Sequence, residues 1–458
     1  MRLADDLVLD QLHDFFGLQT KHSKLIIVGL GATGLSVARF LSHYSFEFKL
    51  IDSRRNPPMA EQLSHELPNI NLITGNFENF DFSEATHLIV SPGIALTPQI
   101  KSACLKGVRL VSDIDLFALS TNRPIIAITG SNGKSTVTTM LGEMGNAAGK
   151  KTRMGGNLGT AALDLLNQEA ELYVLELSSF QLERTSALKA VAATVLNLSA
   201  DHLDRHETFE NYCIEKEKVF KGNGIMVLNA DDSNVKSMHK QARRCLWFGV
   251  HQPLGFHVET KENQDYLVYN NDFLMPCRHL SLEGQHNIAN ALAALALGFA
   301  AGLAIKPMCQ ALAGFQGLAH RMQQVAIING VKWVNDSKAT NIGACIAALD
   351  GYKDKVILLA GGDAKGADMN ELQASIYKKV KNIILMGKDA NLMESALNNG
   401  IPVYHADSMA AAVLYAANIA FRGDTILLSP ACASLDQYQN YQHRGNCFMT
   451  AVKALETG

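Results

Sequence analysis

The chain has 458 residues, of which 47% are apolar and 19% charged, and its formal net charge is −3. This length predicts about two to four domains with substantial cores, and the interspersed charges exclude a nucleic-acid-binding tail and a polybasic membrane anchor. Acidic residues near the N-terminus argue against a signal peptide, and the eight cysteines form no CxxC pair. We therefore expect a cytoplasmic monomer with small-molecule partners, no nucleic acid and no membrane, whose cysteines are reduced and mostly buried.

The first predicted unit is a strand, a turn and a helix that begin at residue 24. The segment reads KLIIVGLGATG, in which Gly29, Gly31 and Gly34 have the GxGxxG spacing, and a second strand ends at Asp52. This pattern is typical of a dinucleotide site, where the acid hydrogen-bonds a ribose. Because the same turn holds any diphosphate, the pattern fits a nicotinamide dehydrogenase and a UDP-sugar site alike. A further strand, HLIV, and the turn after it at Ser91 are expected to form another wall of this first pocket.

The second glycine-rich turn, IIAITGSNGKST at 125–136, follows an apolar strand and precedes a predicted helix. Backbone N–H groups at a helix N-terminus hold phosphate oxygens, Lys134 adds a positive charge, and the Ser135 hydroxyl can bind magnesium. We therefore predict a nucleoside triphosphate site. Ile128 replaces the first glycine of the general P-loop pattern, although the end of the motif is complete. A glycine-rich turn with no ligand is the alternative interpretation.

Two later strand ends carry groups that suit a metal. The strand LYVLE ends at Glu176, at the sheet edge where ligands collect in parallel α/β folds, although a solvated strand-end carboxylate is a common alternative. After the next strand, residues 200–206 read ADHLDRH, a composition that fits metal or phosphate binding or else a polar loop that caps a helix. The glycine-rich turn at 154–159, with Asn157 at its tip, indicates little by itself.

Two predicted helices contain candidate site residues. Helical spacing places Lys216 on the same face as Tyr212 and Phe220. Lysine is seldom fully buried, so this side chain either snorkels to solvent or faces inward with a task, and the spacing favours neither alternative. Farther along, Asn287 and Asn290 share one flank of a long helix, where they suit an adenine or phosphate edge unless they cap the helix. The apolar stretch at 288–305 contains glycines and is typical of a buried helix rather than a membrane span.

The rest of the chain predicts antiparallel and then parallel strands. Residues from about 247 to 282 alternate apolar and polar side chains, which predicts a small antiparallel β insertion. VAIINGVKWV predicts a hairpin across its Asn-Gly pair, and the polar cluster NDSKATN follows at 335–341. Strands and helices then alternate as in an open parallel sheet. The loops at its expected ligand edge contain Lys365, Ser434, Tyr441 and Arg444.

Taken in order, a series of motifs resembles those of the Mur ligases. They are TGSNGKST, GGNLG, LELSSFQLE, DHLDRH, GQHNIANALAA, HR, NDSKATN, GGDAKGAD and LSPACASLDQYQNYQHRG. The resemblance covers essentially the whole chain in one register. It implies an α/β fold with a Rossmann-like N-terminal domain for a UDP substrate at 1–112. It also implies a central P-loop ATPase-like domain with a parallel sheet and a small antiparallel part at 113–318, and a Rossmann-like C-terminal domain for an amino acid at 319–458.

The resemblance also implies an activity. The last three motifs and the Rossmann-like opening are similar to those of members that add D-glutamate to UDP-N-acetylmuramoyl-L-alanine, through an acyl phosphate and a tetrahedral intermediate. The cofactors implied are ATP, two magnesium ions and carbon dioxide, the last as a carbamate on Lys216. A carbamate turns the lysine cation into a carboxylate-like metal ligand. By this resemblance Lys216 faces inward, and the third domain closes over the other two when the substrates bind.

Individual positions match the functional residues of the family. The catalytic positions are Lys134, His202 and Lys216. The ATP-side positions are Gly130, Asn132, Gly133, Lys134, Ser135, Thr136, Asn287, Asn290, Arg321 and Asp336. The UDP-substrate positions are Gly31, Thr33, Asp52, Ser53, Arg54, Ser91, Gly93, Asn157 and His202. The D-glutamate positions are Lys338, Thr340, Lys365, Ser434, Leu435 and Tyr441. The metal-binding positions are Ser135, Glu176, His202 and Lys216. Because family members can carry phenylalanine at the Tyr441 position, the resemblance does not imply a hydroxyl contact there.

Three other activities fit parts of the sequence. A nicotinamide dehydrogenase would use the first turn but leaves Lys134 without a role. A nucleotide-gated regulatory module would hydrolyse ATP without needing an amine. A sister ligase that adds L-alanine, a diamino acid, or glutamate to a folate would share the central domain. Absorbance of the purified protein near the nicotinamide band tests the first alternative, phosphate release in the absence of an amino acid tests the second, and an assay across amino acids tests the third.

Overall fold

Three sheets organise the part of the chain that the computed structural model describes, which comprises residues 5–282, 284–397 and 400–456. The chain divides into two units. The first unit contains the residues up to Leu198 together with 213–277 and 290–313, and it includes the first two sheets. The second unit contains 199–212, 278–289 and the residues from Gly314 onward, and it includes the third sheet.

The N-terminal sheet is entirely parallel among the described residues. Its strands are β1 (Leu25–Val28), β2 (Phe48–Asp52), β3 (Leu72–Thr74), β4 (His87–Val90) and β5 (Arg109–Leu110). Its helices are α1 (Asp5–Phe16), α2 (Ala32–His43), α3 (Ala60–Glu66) and α4 (Pro98–Leu105). The strand order is β3-β2-β1-β4-β5. Every residue of β1 and β4 is buried, as expected for a parallel sheet covered on both faces, so the predicted strands LIIV and HLIV are confirmed.

The central sheet extends the parallel arrangement and ends in antiparallel strands. Its strands are β6 (Ile125–Thr129), β7 (Thr152–Gly156), β8 (Leu172–Glu176), β9 (Ala192–Val195), β10 (Ile225–Asn229), β11 (Cys245–Gly249), β12 (Phe256–Lys261), β13 (Gln264–Tyr269) and β14 (Asp272–Pro276). The strand order is β14-β13-β12-β11-β10-β9-β6-β8-β7. The predicted antiparallel insertion is partly wrong, because β11 pairs parallel to β10 and only β12, β13 and β14 pair antiparallel. These strands continue the edge of the central sheet.

The same part of the chain contains the helices between residues 113 and 314. They are α5 (Asp113–Ala118), α6 (Lys134–Ala147), α7 (Ser179–Arg184), α8 (Leu203–His206), α9 (Phe209–Glu217), α10 (Ser233–Ser237), α11 (Gln285–Ala300) and α12 (Ile305–Gly314). The apolar stretch that we interpreted as a buried helix is α11, in which residues 291–297 are fully buried. No helix in the described ranges is long and apolar enough to cross a membrane.

The C-terminal sheet begins with a hairpin and continues with parallel strands. Its strands are β15 (Gln323–Ile328), β16 (Val331–Asn335), β17 (Val356–Gly361), β18 (Val380–Met386), β19 (Val403–His405) and β20 (Thr425–Leu428). Its helices are α13 (Ile342–Asp350), α14 (Gln373–Lys379), α15 (Ala390–Ala396), α16 (Met409–Ile419) and α17 (Tyr441–Ala454). The strand order is β15-β16-β20-β17-β18-β19, and the predicted hairpin across Asn329-Gly330 is confirmed. Alternate residues of β17 enter two cores, Leu358 on one face and Ile357 and Leu359 on the other.

Two predictions about the whole chain can be compared with these elements. The α/β class with parallel sheets is confirmed, and each sheet lies within one of the predicted domain ranges. The prediction that most cysteines are buried is wrong. Only Cys345 and Cys432 are buried among the eight described cysteines, and the others are partly exposed. These six lie on helices or strands at positions that are only partly covered by the rest of the protein.

Candidate nucleotide and amino-acid sites

The phosphate loop joins β6 to α6 at the carboxyl edge of the central sheet. Gly130 and Gly133 have positive φ values of 144° and 84°, a backbone conformation that favours glycine. A Cβ atom on Gly133 would lie 2.4 Å from the Asn290 Oδ1 atom, so a side chain cannot be placed there without displacing Asn290. Asn290 therefore packs directly against this loop, as the prediction of an ATP-side residue requires. Ser135 and Thr136 follow in the first turn of α6 and are both buried.

Asn197, which sequence reasoning missed, supports the phosphate loop from the end of the neighbouring strand β9. Its carbonyl oxygen accepts the Ser131 N–H at 2.9 Å, and its Oδ1 atom accepts the Asn132 N–H at 2.8 Å. Its Nδ2 atom donates in turn to the Asn132 carbonyl at 3.1 Å. One asparagine thus fixes the backbone of two loop residues. The signal available in the sequence was a polar residue directly after a buried strand, a position that we did not single out.

Two lysines place their ammonium groups under this loop. Lys134 donates to the Gly130 and Ser131 carbonyls, both at 2.8 Å. Lys216 on α9 is only 2% exposed, and its Nζ atom donates to the Gly130 carbonyl at 2.8 Å and to Thr129 Oγ1 at 3.3 Å. The snorkelling alternative for Lys216 is therefore wrong. Its side chain faces inward and reaches the turn where a triphosphate would lie.

Glu176 is held at the end of β8, beside the phosphate-loop strand. It is 1% exposed and lies in register with Ile128 of β6, so the solvated strand-end interpretation is wrong. Asn157 donates through Nδ2 to Glu176 Oε1 at 2.8 Å and through its backbone N–H to the Glu176 carbonyl at 2.8 Å. A Cβ atom on Gly156 would lie 2.5 Å from that carbonyl, which explains the glycine. The turn at 154–159 therefore positions Glu176. Asn157, which we predicted to contact the UDP substrate, is engaged by this carboxylate.

The residues around the phosphate loop fit a magnesium ion held mainly by a nucleotide. The Glu176 carboxylate and the Ser135 hydroxyl are oxygen ligands of the kind that Mg²⁺ prefers, and Mg²⁺ often keeps few protein ligands when phosphates bind it. Among the described residues, no group of three or more His, Cys, Asp or Glu side chains could hold a metal alone. Lys216 as an amine is a hydrogen-bond donor, so it would need an added carboxyl group to become a ligand.

The first glycine-rich turn differs from the phosphate loop in how closely its glycines pack against neighbouring atoms. A Cβ atom on Gly34 would lie 1.9 Å from the Gly29 carbonyl oxygen, whereas one on Gly31 meets no atom within 4 Å. Gly34 thus permits close packing of the helix on the strand, and Gly31 and Thr33 remain partly exposed at the start of α2. The opening at Gly31 leaves space for a diphosphate to approach the backbone.

Asp52, expected to accept a ribose hydroxyl, is instead engaged by groups of the protein. Its Oδ2 atom accepts the Leu30 N–H and the Arg54 Nη2 group, both at 2.7 Å. Its Oδ1 atom accepts the Arg54 backbone N–H at 2.8 Å and Nε at 2.9 Å. Burial alone would raise the pKa of Asp52, but these hydrogen bonds outweigh it and the pKa is lowered. A carboxylate has about four acceptor positions, so a ribose could bind it only after Arg54 moves. Ser53 and Arg54 themselves are exposed beside it.

In the second unit, Asp201 connects the ADHLDRH segment to the predicted amino-acid residues. Its Oδ1 atom accepts Lys365 Nζ at 2.7 Å, and its Oδ2 atom accepts Asn341 Nδ2 at 3.2 Å. His202 follows at the N-cap position of α8 with a φ of 55°. These residues and Thr340 line a cavity of about 10 Å³. The structure thus brings His202, Thr340 and Lys365 together around a small cavity whose wall includes the Asp201–Lys365 ion pair.

Asp336 is buried near the start of the NDSKATN cluster. Its Oδ2 atom accepts the Ser429 hydroxyl at 3.0 Å and its Oδ1 atom accepts the Met322 N–H at 3.2 Å. Burial raises the pKa of Asp336 to about 7, although these hydrogen bonds and the charge of Arg321 act in the opposite direction. The predicted ATP-side residues Arg321 and Asp336 therefore influence each other within this unit. Asn287 is also buried, in the first turn of α11.

The predicted D-glutamate residues at the end of the chain differ in exposure. Lys338 Nζ lies 4.0 Å from the centroid of the Tyr441 ring, a cation–π contact. Ser434 is buried, whereas the Leu435 side chain is 73% exposed. Leu435 could therefore contribute to a buried ligand contact mainly through its backbone.

Arg444, which the sequence placed at the ligand edge, is a buried scaffold between loops. It is 2% exposed and donates to Ser337 Oγ at 3.0 Å, to the Ser337 carbonyl at 2.8 Å and to the Cys432 carbonyl at 3.1 Å. Burial lowers the pKa of Arg444 to about 10, so the side chain is still a cation at neutral pH. Its planar group of donors joins the NDSKATN loop to the loop that follows β20.

Three family models of Mur ligase domains match successive parts of the chain. The MurD-like N-terminal domain matches residues 23–112, the middle domain matches 128–298, and the glutamate ligase domain matches 320–432. The UDP-N-acetylmuramoylalanine–D-glutamate ligase of Methylococcus capsulatus is 48% identical to the chain, over 94% of this chain and 95% of its own length. The enzyme of the same name from Pseudomonas aeruginosa is 45% identical over 94% of this chain and 98% of its own length.

Solved structures support the fold independently of close sequence similarity. A pseudomurein peptide ligase type C from Methanothermus fervidus has a TM-score of 0.62 at 17% identity, covering 95% of this chain and 100% of its own. At this level of identity the likeness establishes the fold alone. Together with the relatives that are nearly half identical over almost the full length, it leads to one conclusion: the chain belongs to the Mur ligase family.

Proposed function

We propose that this protein is an ATP-dependent ligase that joins D-glutamate to UDP-N-acetylmuramoyl-L-alanine in the cytoplasmic synthesis of peptidoglycan precursors. The relatives that carry this name align along 94% of the chain. The observation that carries the mechanism is the inward-facing Lys216, whose amine lies against the Gly130 carbonyl of the phosphate loop. A monomer would be sufficient for this activity, because each proposed residue comes from one chain.

The proposed ATP site is the phosphate loop with its surrounding side chains. The backbone N–H groups of Gly130 and of residues 133–136, together with the Lys134 ammonium, would hold the phosphates, since the Ser131 and Asn132 N–H groups donate to Asn197. Lys134 now donates to two carbonyls of the loop, so its charge is already held at the turn. Asn132 and Gly133 shape the loop. Four further residues would complete the nucleotide contacts: Asn287, Asn290, Arg321 and Asp336.

Two magnesium ions would be held by Ser135 and Glu176 at one position and by His202 and a carbamate of Lys216 at the other. When bound, these ions would neutralise the phosphate charge that develops during transfer. Asn157 fixes the orientation of Glu176 through its hydrogen bond of 2.8 Å. Such support of a metal-binding carboxylate is typical of magnesium sites with few protein ligands.

The proposed carbamate forms when the neutral amine of Lys216 attacks carbon dioxide. A new N–C bond forms, one amine proton is released, and the lysine acquires a negative charge. Lysine reacts in its neutral form, which a low-dielectric site favours. The side chain is 2% exposed, which satisfies this condition. The carbamate nitrogen would keep one N–H and could retain at most one of the present hydrogen bonds to Gly130 and Thr129, while its carboxylate would turn toward the phosphates.

The reaction follows from these parts. A carboxylate is a poor electrophile, so an oxygen of the alanyl carboxylate would attack the ATP γ-phosphorus, releasing ADP and giving an acyl phosphate. The amine of D-glutamate would then attack the acyl carbon, giving a tetrahedral intermediate that expels phosphate and loses a proton. Lys134 and Arg321 would stabilise the transferring phosphoryl group, and His202 would stabilise the tetrahedral intermediate. No nucleophile of the protein is required.

The UDP-linked substrate would bind at the first glycine-rich turn. Gly31 leaves open space above the turn, and Thr33 begins the helix beside it. The other proposed contacts are Asp52, Ser53, Arg54, Ser91, Gly93, Asn157 and His202. Since Arg54 occupies the Asp52 carboxylate, we propose that Asp52 acts by holding Arg54 and the Leu30 N–H in place.

D-Glutamate would bind among the loops of the C-terminal sheet. The proposed contacts are Lys338, Thr340, Lys365, Ser434, Leu435 and Tyr441. A cavity of about 10 Å³ holds little more than one water molecule, so the amino acid must open this space. A carboxylate of D-glutamate would replace Asp201 as the partner of Lys365. Binding therefore requires a rearrangement of these loops, consistent with closure of the third domain.

The decisive experiment measures phosphate release with UDP-N-acetylmuramoyl-L-alanine, ATP and magnesium while the amino acid is varied. We expect release with D-glutamate and little with L-glutamate or L-alanine. Equal release without any amino acid would indicate an ATP hydrolase instead. Stimulation by L-alanine or a diamino acid alone would indicate a sister ligase and overturn the assignment.

A further inference from the structure

Arg184 is a buried arginine that extends from the central sheet to the N-terminal sheet within the first unit. It is the last residue of α7 and is 7% exposed. Its Nη1 atom donates to the Val90 carbonyl at 2.9 Å and to the Ser91 carbonyl at 2.8 Å, and its Nη2 atom donates to the Ile94 carbonyl. The first acceptor is the last residue of β4, and the other two belong to the turn that follows it. A single guanidinium thus holds one turn of another sheet.

The turn held by Arg184 is interlocked with the first glycine-rich turn. Ser91 Oγ donates to the Gly29 carbonyl at 2.9 Å, and the Ile94 N–H donates to the Ser91 carbonyl at 3.0 Å. A Cβ atom on Gly29 would lie 2.4 Å from Ile94 Cδ1, so the two turns are in close contact. A displacement of residues 90–94 must therefore also displace the backbone at Gly29.

The backbone at the end of α7, where Arg184 lies, is itself held by hydrogen bonds. Asp115 on α5 accepts the Ser186 N–H at 2.7 Å and the Ala187 N–H at 2.6 Å, directly after α7 ends. The chain at Arg184 is therefore fixed before its side chain reaches the turn. The rigid fork of the guanidinium can donate to several carbonyls at once, which a lysine ammonium cannot do with the same geometry.

We propose that Arg184 is a positioning residue for the UDP-linked substrate. It would hold the turn at Ser91 and, through it, the Gly29–Gly34 turn in the conformation that accepts the diphosphate. This inference rests on the proposed function, because that substrate would occupy the first pocket. Arg184 donates to backbone carbonyls here, so it would act by preorganising two loops.

The test compares two ligands by isothermal titration calorimetry on the full chain. UDP-N-acetylmuramoyl-L-alanine probes the first pocket, and ADP with magnesium probes the phosphate loop. We expect Arg184→Met to weaken binding of the UDP compound at least about tenfold while ADP binding changes less than about twofold. Arg184→Lys should recover part of the affinity, because it keeps the charge and one donor position. If Arg184→Met does not fold, Arg184→Lys carries the same comparison, with an expected loss of about threefold for the UDP compound alone.

Lys221→Met is the matched control, because Lys221 Nζ donates to the Thr185 carbonyl within the central segment and not to the N-terminal turn. This variant should bind both ligands as the wild type does. The proposal is overturned if the Arg184 variants bind the UDP compound within twofold of wild type, or if ADP binding falls in parallel. A wild-type chain that does not bind the UDP compound at all would instead refute the proposed function.

Discussion

The phosphate loop and the amino-acid side of the molecule bury charge in different ways. Around the phosphate loop, Lys134 and Lys216 donate to backbone carbonyls that include Gly130. On the amino-acid side, defined by the loops at 336–341, 361–365 and 429–434, Lys365 donates to the carboxylate of Asp201. Neutral backbone carbonyls are thus partners of both cations in the first region. The second holds its cation in an ion pair that a ligand must replace.

This difference indicates what each region needs before it can act. A triphosphate in the phosphate loop would compete for these lysines with backbone carbonyls, which are weaker acceptors than its own oxygens. By the proposed assignment, D-glutamate would compete with the Asp201 side chain for Lys365, beside a cavity of about 10 Å³. We therefore expect nucleotide binding to require little rearrangement and amino-acid binding to require loop movement. The predictions below test the two halves of this comparison.

The largest expected effect concerns Lys216. Lys216→Ala removes the side chain that would carry the carbamate, and we expect ligase activity to fall by about a thousandfold or more, because a charge-stabilising group leaves the phosphoryl-transfer site. A short carboxylic acid such as acetate, added to the buffer, should restore part of the activity. Phosphate release in the complete reaction measures both.

Lys218→Ala is the control for this experiment. Lys218 lies two positions further along the chain, pairs with Glu215 at 2.5 Å, and donates to the Glu183 carbonyl. Its removal should change activity by less than about twofold. Inactivity of Lys216→Ala without any rescue by carboxylic acids would count against the carbamate and favour the lysine as a simple cation beside the loop.

The buried Asp336, in the loop at 336–341, should make the stability of the protein depend on pH. Unfolded aspartate releases its proton near a pKa of about 4, whereas burial raises the pKa of Asp336 to about 7 in the folded protein. Between these values the folded state binds more protons, so the stability of the unliganded protein should fall as the pH rises. Asp336→Asn can still accept hydrogen bonds from Ser429 and Met322 without ionising. Its stability relative to wild type should therefore increase by about 2.5 kcal/mol between pH 5 and pH 8.

Differential scanning calorimetry without ligands at the two pH values measures this effect. Asp354→Asn, at an exposed position in the same unit, serves as the control and should show no such change. A difference between Asp336→Asn and wild type that is the same at both pH values would mean that this carboxyl group is ionised throughout the range.

The sequence predicted the fold well because its signals were local. Apolar runs that end in glycine-rich turns, such as IIAIT before the phosphate loop, produced buried strands at the expected positions. The hairpin at Asn329-Gly330 depends on turn chemistry that two residues define. The antiparallel insertion was less accurate, because a connection that contains α10 returns the chain so that β11 pairs parallel to β10, and the alternation within β11 does not reveal this direction.

Parts of the candidate site could not be predicted because they depend on contacts between distant segments. Asn197 supports a loop sixty-five positions away in the chain, and Asp52 accepts the N–H of Leu30, which lies twenty-two positions before it. Helical spacing could place Lys216 on an apolar face but could not show that the phosphate loop lies at the end of its side chain. Polar pairings of this kind have no periodicity to reveal them.

A smaller effect is expected at Asn157, where two interpretations differ. If Asn157 chiefly orients Glu176, Asn157→Ala should lower activity about 10- to 100-fold at limiting magnesium and raise the magnesium concentration required. Asn146→Ala is the control, since Asn146 Oδ1 accepts the Thr152 N–H on the exposed side of the same segment. An unchanged magnesium requirement with a raised KM for the UDP compound would return Asn157 to its first predicted role. Steady-state kinetics across magnesium concentrations decide between them.

The smallest effect concerns the ring of Tyr441 on the amino-acid side. Lys338 Nζ lies 4.0 Å from the ring centroid, so we expect the aromatic face to position this cation. Tyr441→Phe keeps the face and should change the KM for D-glutamate by less than about twofold, whereas Tyr441→Ala should raise it about two- to fivefold. Equal effects of the two substitutions would assign the contact to the hydroxyl group. In that outcome the cation–π contact would not be what positions Lys338. The amino-acid side would then have one preformed cation position fewer, and its contrast with the phosphate loop would be wider.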